Sequence, residues 1–427
     1  MRPTRSEFDD AWPRIVRAMA SFTGSLDEAE EYAAEAVARA AAHDGSIDSL
    51  AAWCTSVAKR AWIDESRRRA VERRLAPQLL PPETDPTDAS WHTMAPDDVP
   101  DDTPGSAFGD DLDDRVALLF VACDDALTPT SQMVLALRVV CGLTVPEIAH
   151  HLGLQTAATA ARLTRAKKSL ALARGEFRVP GRAEAVPRLP VVLACVAGMF
   201  TVAHRTDLDP DSAFDDTGAQ SLSIADSLVA TFPDDPEVSG LRAVIRLGLA
   251  RRPARLDDSG TALPFDEVDR SRWDRRLLAA GLADATLATR GTGRFAIEAA
   301  IAGLHSSPVR FDDTDWSQIV VLYSALEKVW AAPSVRVARL AATAHGILAG
   351  ALTTGDPACA SLAQVEHELA SLEAGTPAYA SRDAKLTLAD ITWRTGRRDE
   401  AARLYRELAD VMPTEALRRF CLRRAAG

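Results

Sequence analysis

An all-α protein built from more than one domain is what this sequence predicts, on three observations. First, 47% of its 427 residues are hydrophobic, Ala and Leu dominate, and no long alternating run suits a half-buried strand. Second, the chain is longer than a single core usually holds, and two Pro-rich stretches break it, one around residues 76–112 and one at PGRAEAVPRLP. Third, LTPTSQMVLALRVVCGLTVPEIAHHLGLQTAATAARLTRAKK, from Leu127 to Lys168, reads as three short helices. The expected layout is two small helical domains, 1–75 and 113–178, joined by an acidic linker over 76–112. A third helical domain then covers 182–427.

In the first domain Val16, Met19 and Ala20 mark one helix side. Ala29, Tyr32, Ala33, Ala36, Val37 and Ala40 mark a second helix. Asp27, Glu28, Glu30 and Glu31 crowd that second helix's first turn, where the macrodipole favours them. A third helix starts near Ser49 and carries Lys59, Arg60, Arg67, Arg68, Arg69, Arg73 and Arg74 beside Trp53 and Trp62. Basic groups follow phosphates and aromatic faces stack on unpaired bases, so this mixture suits opened DNA. A solvated basic face over two core tryptophans accounts for it equally well. From Leu75 to Leu112 the composition turns to Pro and Asp, with no Lys or Arg in PQLLPPETDPTDASWHTMAPDDVPDDTPGSAFGDD. Such a stretch cannot bury enough apolar surface to fold alone and reads as a self-repelling tether. An acidic strand occupying a nucleic-acid channel is the alternative.

The 127–168 segment has the layout of a helix-turn-helix, whose second helix can enter a DNA major groove. Thr144 is placed to cap the first helix of the pair, and Glu147 completes a capping box. Ile148, Ala149 and Leu152 supply its apolar side, and Gly153 the permissive turn. The second helix opens near Gln155 and Thr156 and carries Arg162, Arg165, Lys167 and Lys168. At about 100° per residue, Thr159, Leu163, Ala166 and Leu170 form the packing stripe. The opposite face then presents Ala157, Ala160, Ala161, Thr164 and Lys168. Alanines cannot make the bidentate hydrogen bonds that read bases, each worth ~1–3 kcal/mol. A plain helical hairpin is the competing reading.

Beyond residue 182, helices recur with short loops. In RDAKLTLADITWRTGRRDEAARLYRELADVMPT, Leu388, Ala389, Gly396, Ala401, Tyr405 and Pro413 fall at tetratricopeptide spacing, with Lys385 where the opening Trp would stand. SLSIADSLVATFPDDPEVSGLRAVIRLGLA is a weaker echo. Such repeats usually build a surface for a protein or peptide. The loop ARLDDSGTALPFDEVDRSRWDRR alternates Asp257, Asp258, Asp266, Glu267, Asp269 and Asp274 with Arg255, Arg270, Arg272, Arg275 and Arg276. Internal ion pairs are expected there, with Trp273 pinning the loop.

The net charge of −12 argues against coating nucleic acid indiscriminately, so DNA contact must come from local basic surfaces. Cys54, Cys123, Cys141, Cys195, Cys359 and Cys421 show neither CxxC nor metal spacing and read as core residues of a reducing cytosol. No signal core opens the chain. The most apolar run, Leu189–Ala203, falls short of the ~20 residues of a bilayer span. A cytoplasmic protein without membrane contact is expected. No GxxxxGK[ST], GxGxxG, HExxH or GxSxG motif proposes an enzyme, a metal or a cofactor.

Taken together, the chain resembles a bacterial sigma factor of the extracytoplasmic-function class, in the subgroup with a long C-terminal tetratricopeptide-like extension. LTPTSQMVLALRVVCGLTVPEIAHHL and RLTRAKKSL resemble that class's promoter-binding C-terminal sigma domain. AWCTSVAKRAWIDESRRR is similar to the helix that melts the downstream promoter element, and DEAEEYAAEAVARAA to the helix that docks on the polymerase clamp. The resemblance implies a non-catalytic promoter-specificity subunit with core RNA polymerase and promoter DNA as partners. It implies that Lys59, Arg60, Arg67 and Arg68 contact the melted element, with Trp53 and Trp62 supporting their helix. Thr144, Gln155, Thr156, Arg162, Thr164, Arg165 and Lys168 would meet the upstream element, and Glu31, Tyr32 and Glu35 the polymerase. The acidic linker would thread towards the polymerase channel, and the extension would regulate. The chain departs from the family pattern at Ala34, where a Gln is usual, and at Phe200–His204, where a Phe-Asn-Glu-Gly-Tyr-like run is usual. Those departures keep open a diverged regulator or scaffold, and, more remotely, an enzyme recycled from the scaffold.

Overall fold

The structure is a computed structural model that describes residues 4–75, 107–206, 217–352, 361–372 and 376–427. Most of the acidic linker, Cys359, and the side chains of Arg73, Arg74, Ala203 and His204 lie outside the described residues. The described chain is all-α, with one isolated β-bridge between Leu256 and Ala262. It forms two compact units, Met1–Cys195 and Val196–Gly427.

The first unit opens with α1 (Arg5–Thr23), started by a capping box between Thr4 and Glu7 and stopped at Gly24 in the left-handed region (φ 71°). α2 (Leu26–Ala41) follows, capped by Ser25, with Asp27 and Glu28 in its first turn. Ala29, Tyr32, Ala33, Ala36 and Ala40 are buried as the 3.6-residue period predicts, while Val37 is half-buried. α3 (Leu50–Leu75) packs on both, burying Cys54 and Ala58. After the short α4 (Ala107–Asp110) comes α5 (Asp114–Ala122), whose residues Val116 to Ala122 are all buried. A helix apolar all round belongs in a core. α6 (Pro129–Val139), α7 (Val145–Leu152) and α8 (Thr156–Arg174) complete this group.

These two helical groups share packing. Trp12 is 2% exposed, and its indole N–H donates to the Arg138 carbonyl at 3.1 Å. Gly142 takes φ 66°, and a Cβ there would sit 2.9 Å from the Phe8 ring. Arg17 donates to the Leu112 carbonyl (2.7 Å) and to Asp114 (2.9 Å), and the Phe177 amide donates to the Gly24 carbonyl at 2.7 Å. α9 (Arg182–Thr206) carries the first unit's packing to Cys195: Arg188 pairs with the buried Asp124 at 2.8 Å, and the thiols of Cys123 and Cys195 lie 3.4 Å apart. The α9 helix runs through Pro187 and Pro190 and is longer than its most apolar run. The 21 residues Arg182–Val202 are long and apolar enough to cross a membrane by length and composition alone, a test that buried core helices also pass, and 44% of that stretch is buried inside the protein.

The second unit contains α10 (Thr217–Thr231), α11 (Pro236–Arg251), α12 (Arg275–Ala288), α13 (Arg294–Ser306), α14 (Trp316–Val329) and α15 (Pro333–Leu348). α16 (Leu362–Ser371), α17 (Ala378–Arg394), α18 (Arg398–Ala409) and α19 (Glu415–Ala426) close it. Small residues set the spacing between helices. Ala243, Ala285, Ala288, Ala296 and Ala299 form one cluster, and a Cβ on Gly240 would come 2.6 Å from the Phe295 backbone. The buried Asp284 between α11 and α12 is held by Arg242 (2.7 Å) and Arg246 (2.8 Å), the pairing that a buried carboxylate requires. α17 and α18 form a hairpin about Gly396 (φ 82°), with Ala389, Ala401 and Tyr405 fully buried between them. In the charged loop 252–274 Trp273 pins the chain, at 3% exposure, and one of the expected internal pairs forms, Arg272 with Asp258 at 3.9 Å. Other acids of the loop reach outward: Asp266 to Arg394 (2.7 Å), and Glu267 to Arg423 (2.7 Å) and Arg424 (2.6 Å).

Candidate nucleic-acid interface

The helix-turn-helix is built from local signals. The Glu147 amide meets the Thr144 hydroxyl at 3.5 Å, the Thr144 amide donates to Glu147 Oε2 at 2.6 Å, and Pro146 sits in the first turn, where its missing N–H costs nothing. Gly153 ends α7 at φ 64°, with its N–H returned to the Ala149 and His150 carbonyls. Burial of His151 holds its imidazole below the usual range, with the neighbouring His150 adding to the effect. α8 then starts at Thr156, after Gln155, whose side chain makes no capping bond.

On α8 the buried set is Thr159, Leu163, Ala166 and Leu170. Thr159 is wholly buried, and its hydroxyl is satisfied by the Gln155 carbonyl at 3.1 Å. Gln155, Thr156, Ala157, Ala160, Ala161, Thr164, Arg165 and Lys168 are exposed, and Arg162 is half-buried. The Thr164 hydroxyl donates back to the Ala160 carbonyl at 3.2 Å. The exposed face therefore combines a strip of small residues with a basic edge. Lys167, counted with that basic group from sequence, turns the other way. It pairs with Asp27 (2.8 Å) and with the buried Glu30, which also receives Arg138 at 2.7 Å. Sequence periodicity gave no sign of this cluster, because its members come from α2, α6 and α8.

α3 presents the second basic set. Arg60 and Arg67 are exposed, and Arg68 is exposed beside Glu65 at 3.0 Å. Lys59 lies 4.9 Å over the Phe22 ring. The tryptophans face inward. The Trp62 indole donates to Glu28 at 2.9 Å and meets Phe22 edge-on at 5.2 Å, and Trp53 lies 5.4 Å from the His43 ring. Both are half-buried braces rather than free stacking platforms. On α2, Glu31 and Glu35 are exposed, with Glu35 bound to Arg39 at 2.6 Å. Tyr32 is only 7% exposed and belongs to the core face, so the surface offered at that point is carboxylate.

Comparison with known proteins fits this geometry. The sigma-70 region 4 family matches residues 118–170, which span α5 to α8 apart from a few residues at either end. A family of unknown function, DUF6596, matches residues 188–289. An uncharacterized protein of Rhizobium meliloti (strain 1021) is 32% identical over 337 residues, covering 78% of this chain and 77% of its own. No solved structure matches. The chain thus carries a sigma-70 region 4 domain at residues 118–170 with a long helical region after it, an arrangement consistent with a sigma factor of the extracytoplasmic-function type that has a C-terminal extension.

Proposed function

We propose that this protein is a sigma factor that brings core RNA polymerase to promoters and is regulated by its own C-terminal helical unit. The observation that carries the reading is the basic edge of α8, where the exposed Arg165 and Lys168 and the half-buried Arg162 flank a strip of small residues on a capped helix-turn-helix. In that reading Arg162, Arg165 and Lys168 hold phosphates of the upstream element, while Thr144, Gln155, Thr156 and Thr164 line the approach. Lys59, Arg60, Arg67 and Arg68 on α3 meet the melted element, braced from behind by Trp53 and Trp62. Glu31 and Glu35 face the polymerase, with Tyr32 holding their helix from inside. The acidic residues of 76–112 occupy the polymerase channel. The tetratricopeptide-like hairpins of the second unit take a protein or peptide partner. The chain itself catalyses nothing and works in the cytoplasm.

A second reading, a diverged regulator or scaffold, draws on the exposure of Ala157, Ala160 and Ala161 on the reading face. Alanines touch thymine methyls or allow close approach, but they donate and accept nothing. Run-off transcription with purified core polymerase and a genomic fragment library separates the two. Transcripts starting at discrete sites, dependent on the protein, support the sigma reading. Use of no promoter, by the full-length chain or by a version cut near Arg178, overturns it, and tight binding to core polymerase counts heavily against the scaffold.

A further inference from the structure

The second unit holds an open cavity of about 740 Å³, lined from α11, α13, α14, α15, α17, α18 and α19 and from the loop 252–274. That volume lies within the range of small-molecule sites, ~300–1,000 Å³. Nothing in promoter recognition calls for it. Its wall is largely apolar, with a run of aromatic rings. Phe265 meets His305 edge-on at 5.5 Å and Phe311 at 6.2 Å, and Trp316 stacks on His345 at 4.9 Å and 18°. Tyr323 and Trp330 extend the wall.

Most of the charge around it is already paired. Arg394 lies between Asp266 and Asp390, at 2.7 Å from each, and Glu298 receives Arg294 at 3.0 Å. Arg251, the last residue of α11, is different. It lines the cavity, and no carboxylate pairs with it among the described residues. Its guanidinium lies 5.4 Å from the Phe265 ring centre, and the guanidinium of Arg270 lies 5.0 Å from the same ring. Arg270 donates to the Pro308 carbonyl, yet its Nη2 is buried without a partner. Burial holds Arg251 below the usual range, with Arg270 adding to the effect, and burial also lowers Arg270. His305 adds a buried Nδ1 with no hydrogen-bond partner. Burial, then Arg251 and Arg270, pushes His305 down to about 3, so it stays neutral.

Two guanidiniums beside one ring, one of them lining an apolar cavity, make a costly arrangement unless an anion completes it. Guanidinium groups bind carboxylates and phosphates through paired, charge-assisted hydrogen bonds. We propose that this cavity binds a small organic anion, with Arg251 gripping its carboxylate or phosphate and the aromatic wall from Phe265 to Trp330 holding a flat apolar body. The neutral His305 supplies a hydrogen bond at the junction. This assignment deepens the regulatory reading of the second unit and depends on it only for the consequence of binding, not for binding itself.

The test uses the full chain and two matched fluorescent probes, 1-anilinonaphthalene-8-sulfonate and its uncharged analogue N-phenyl-1-naphthylamine. One equivalent of the sulfonate binds, and Arg251→Gln weakens it at least tenfold while changing the neutral probe less than twofold. Ala338→Phe, which places a ring in the cavity, removes both. Circular dichroism melts establish that each variant folds. Should Arg251→Gln unfold, displacement from the wild type decides: indole-3-carboxylate and phenyl phosphate compete at least tenfold better than indole-3-carboxamide. The better of the two anions identifies the headgroup. Equal affinity for charged and neutral probes, or an undiminished sulfonate signal in a folded Arg251→Gln or Ala338→Phe variant, overturns the site. Run-off transcription with and without the displacing anion reads the other question. Binding without any change in transcripts sinks the regulatory reading and leaves the site standing.

Discussion

Arg165 and Lys168 stand exposed on α8, whereas Lys167 between them is committed to Glu30 and Asp27. Three basic residues within four positions thus have two fates, fixed by the helical angle rather than by residue type. Groups that hold phosphate without reading bases weaken binding evenly across sequences and carry the salt dependence. Arg165→Ala and Lys168→Ala should each lower affinity for any duplex and reduce the slope of log affinity against log salt by about 1. Lys167→Ala should leave that slope unchanged. Fluorescence anisotropy over a salt series checks all three, and a loss confined to one promoter class would sink the phosphate assignment. Ala161→Gln should change preference instead, since it places a bidentate group on a face of small residues. The division of α8 into buried and exposed sides was legible in the sequence, because one stripe of Thr159, Leu163, Ala166 and Leu170 repeats at helical period. The diversion of Lys167 was not, because its partners lie on another helix far back in the chain.

At the scale of elements, α7 and α8 were specified locally, by a cap, a proline, a glycine and a period. Gly153 shows what that local specification is worth. No atom lies within 4 Å of the Cβ that Gly153→Ala would add, so only the left-handed backbone resists it. The variant should lose ~1–2 kcal/mol by urea denaturation, and Gly153→Asn less, because Asn tolerates that region. The Glu30 cluster belongs to the opposite class. Glu30 is 7% exposed and joins α2 to Arg138 of α6 and Lys167 of α8. Burial alone would raise its pKa, but the Arg138 hydrogen bond and the charges of Lys167 and Arg138 outweigh that and hold it below the usual range. A depressed carboxylate contributes fully above its unfolded value of 4.5 and loses the contribution as pH falls through the folded value. Glu30→Ala leaves two cations without their shared acid and should cost on the order of 3 kcal/mol at pH 7. It also releases Lys167 towards DNA, so non-specific affinity should rise as stability falls. Equal stability of variant and wild type at pH 7 would show that the cluster holds nothing together.

For the whole molecule, the all-α class was legible in composition and in the absence of alternating runs, and region 4 in its caps and spacing. The cavity was not. Its walls come from Arg251, Phe265, His305, Trp316, His345 and Arg394, residues that no spacing rule connects and that only the packing of α11 to α17 gathers. Read singly in the sequence, the histidines had no partner spacing. In the fold, burial holds both His305 and His345 below the usual range, His305 to about 3. Arg251 and Arg270 also act on His305, and Arg394 on His345, where Asp390 and Asp266 oppose the shift. The sign is that of a neutral group which must charge on unfolding. Stability is complete above the unfolded value of 6.5 and is lost as pH falls from there towards the folded value. Between pH 7 and pH 5 the unfolded chain takes up the proton and the folded one does not, so His305 alone should remove about 2 kcal/mol from the second unit. Acid weakening should therefore begin at the buried imidazoles, those of this cavity and His151 of α7, below pH 6.5, before the carboxylate cluster around Glu30 is touched. Urea midpoints at pH 7, 6 and 5 should fall in the wild type, and His305→Gln should flatten that decline by about the same 2 kcal/mol. A saturating anion in the cavity should raise every midpoint, because a ligand bound only by the folded state stabilises it. An unchanged pH profile in a folded His305→Gln variant would mean that His305 titrates freely, in contact with water rather than buried beside its cations.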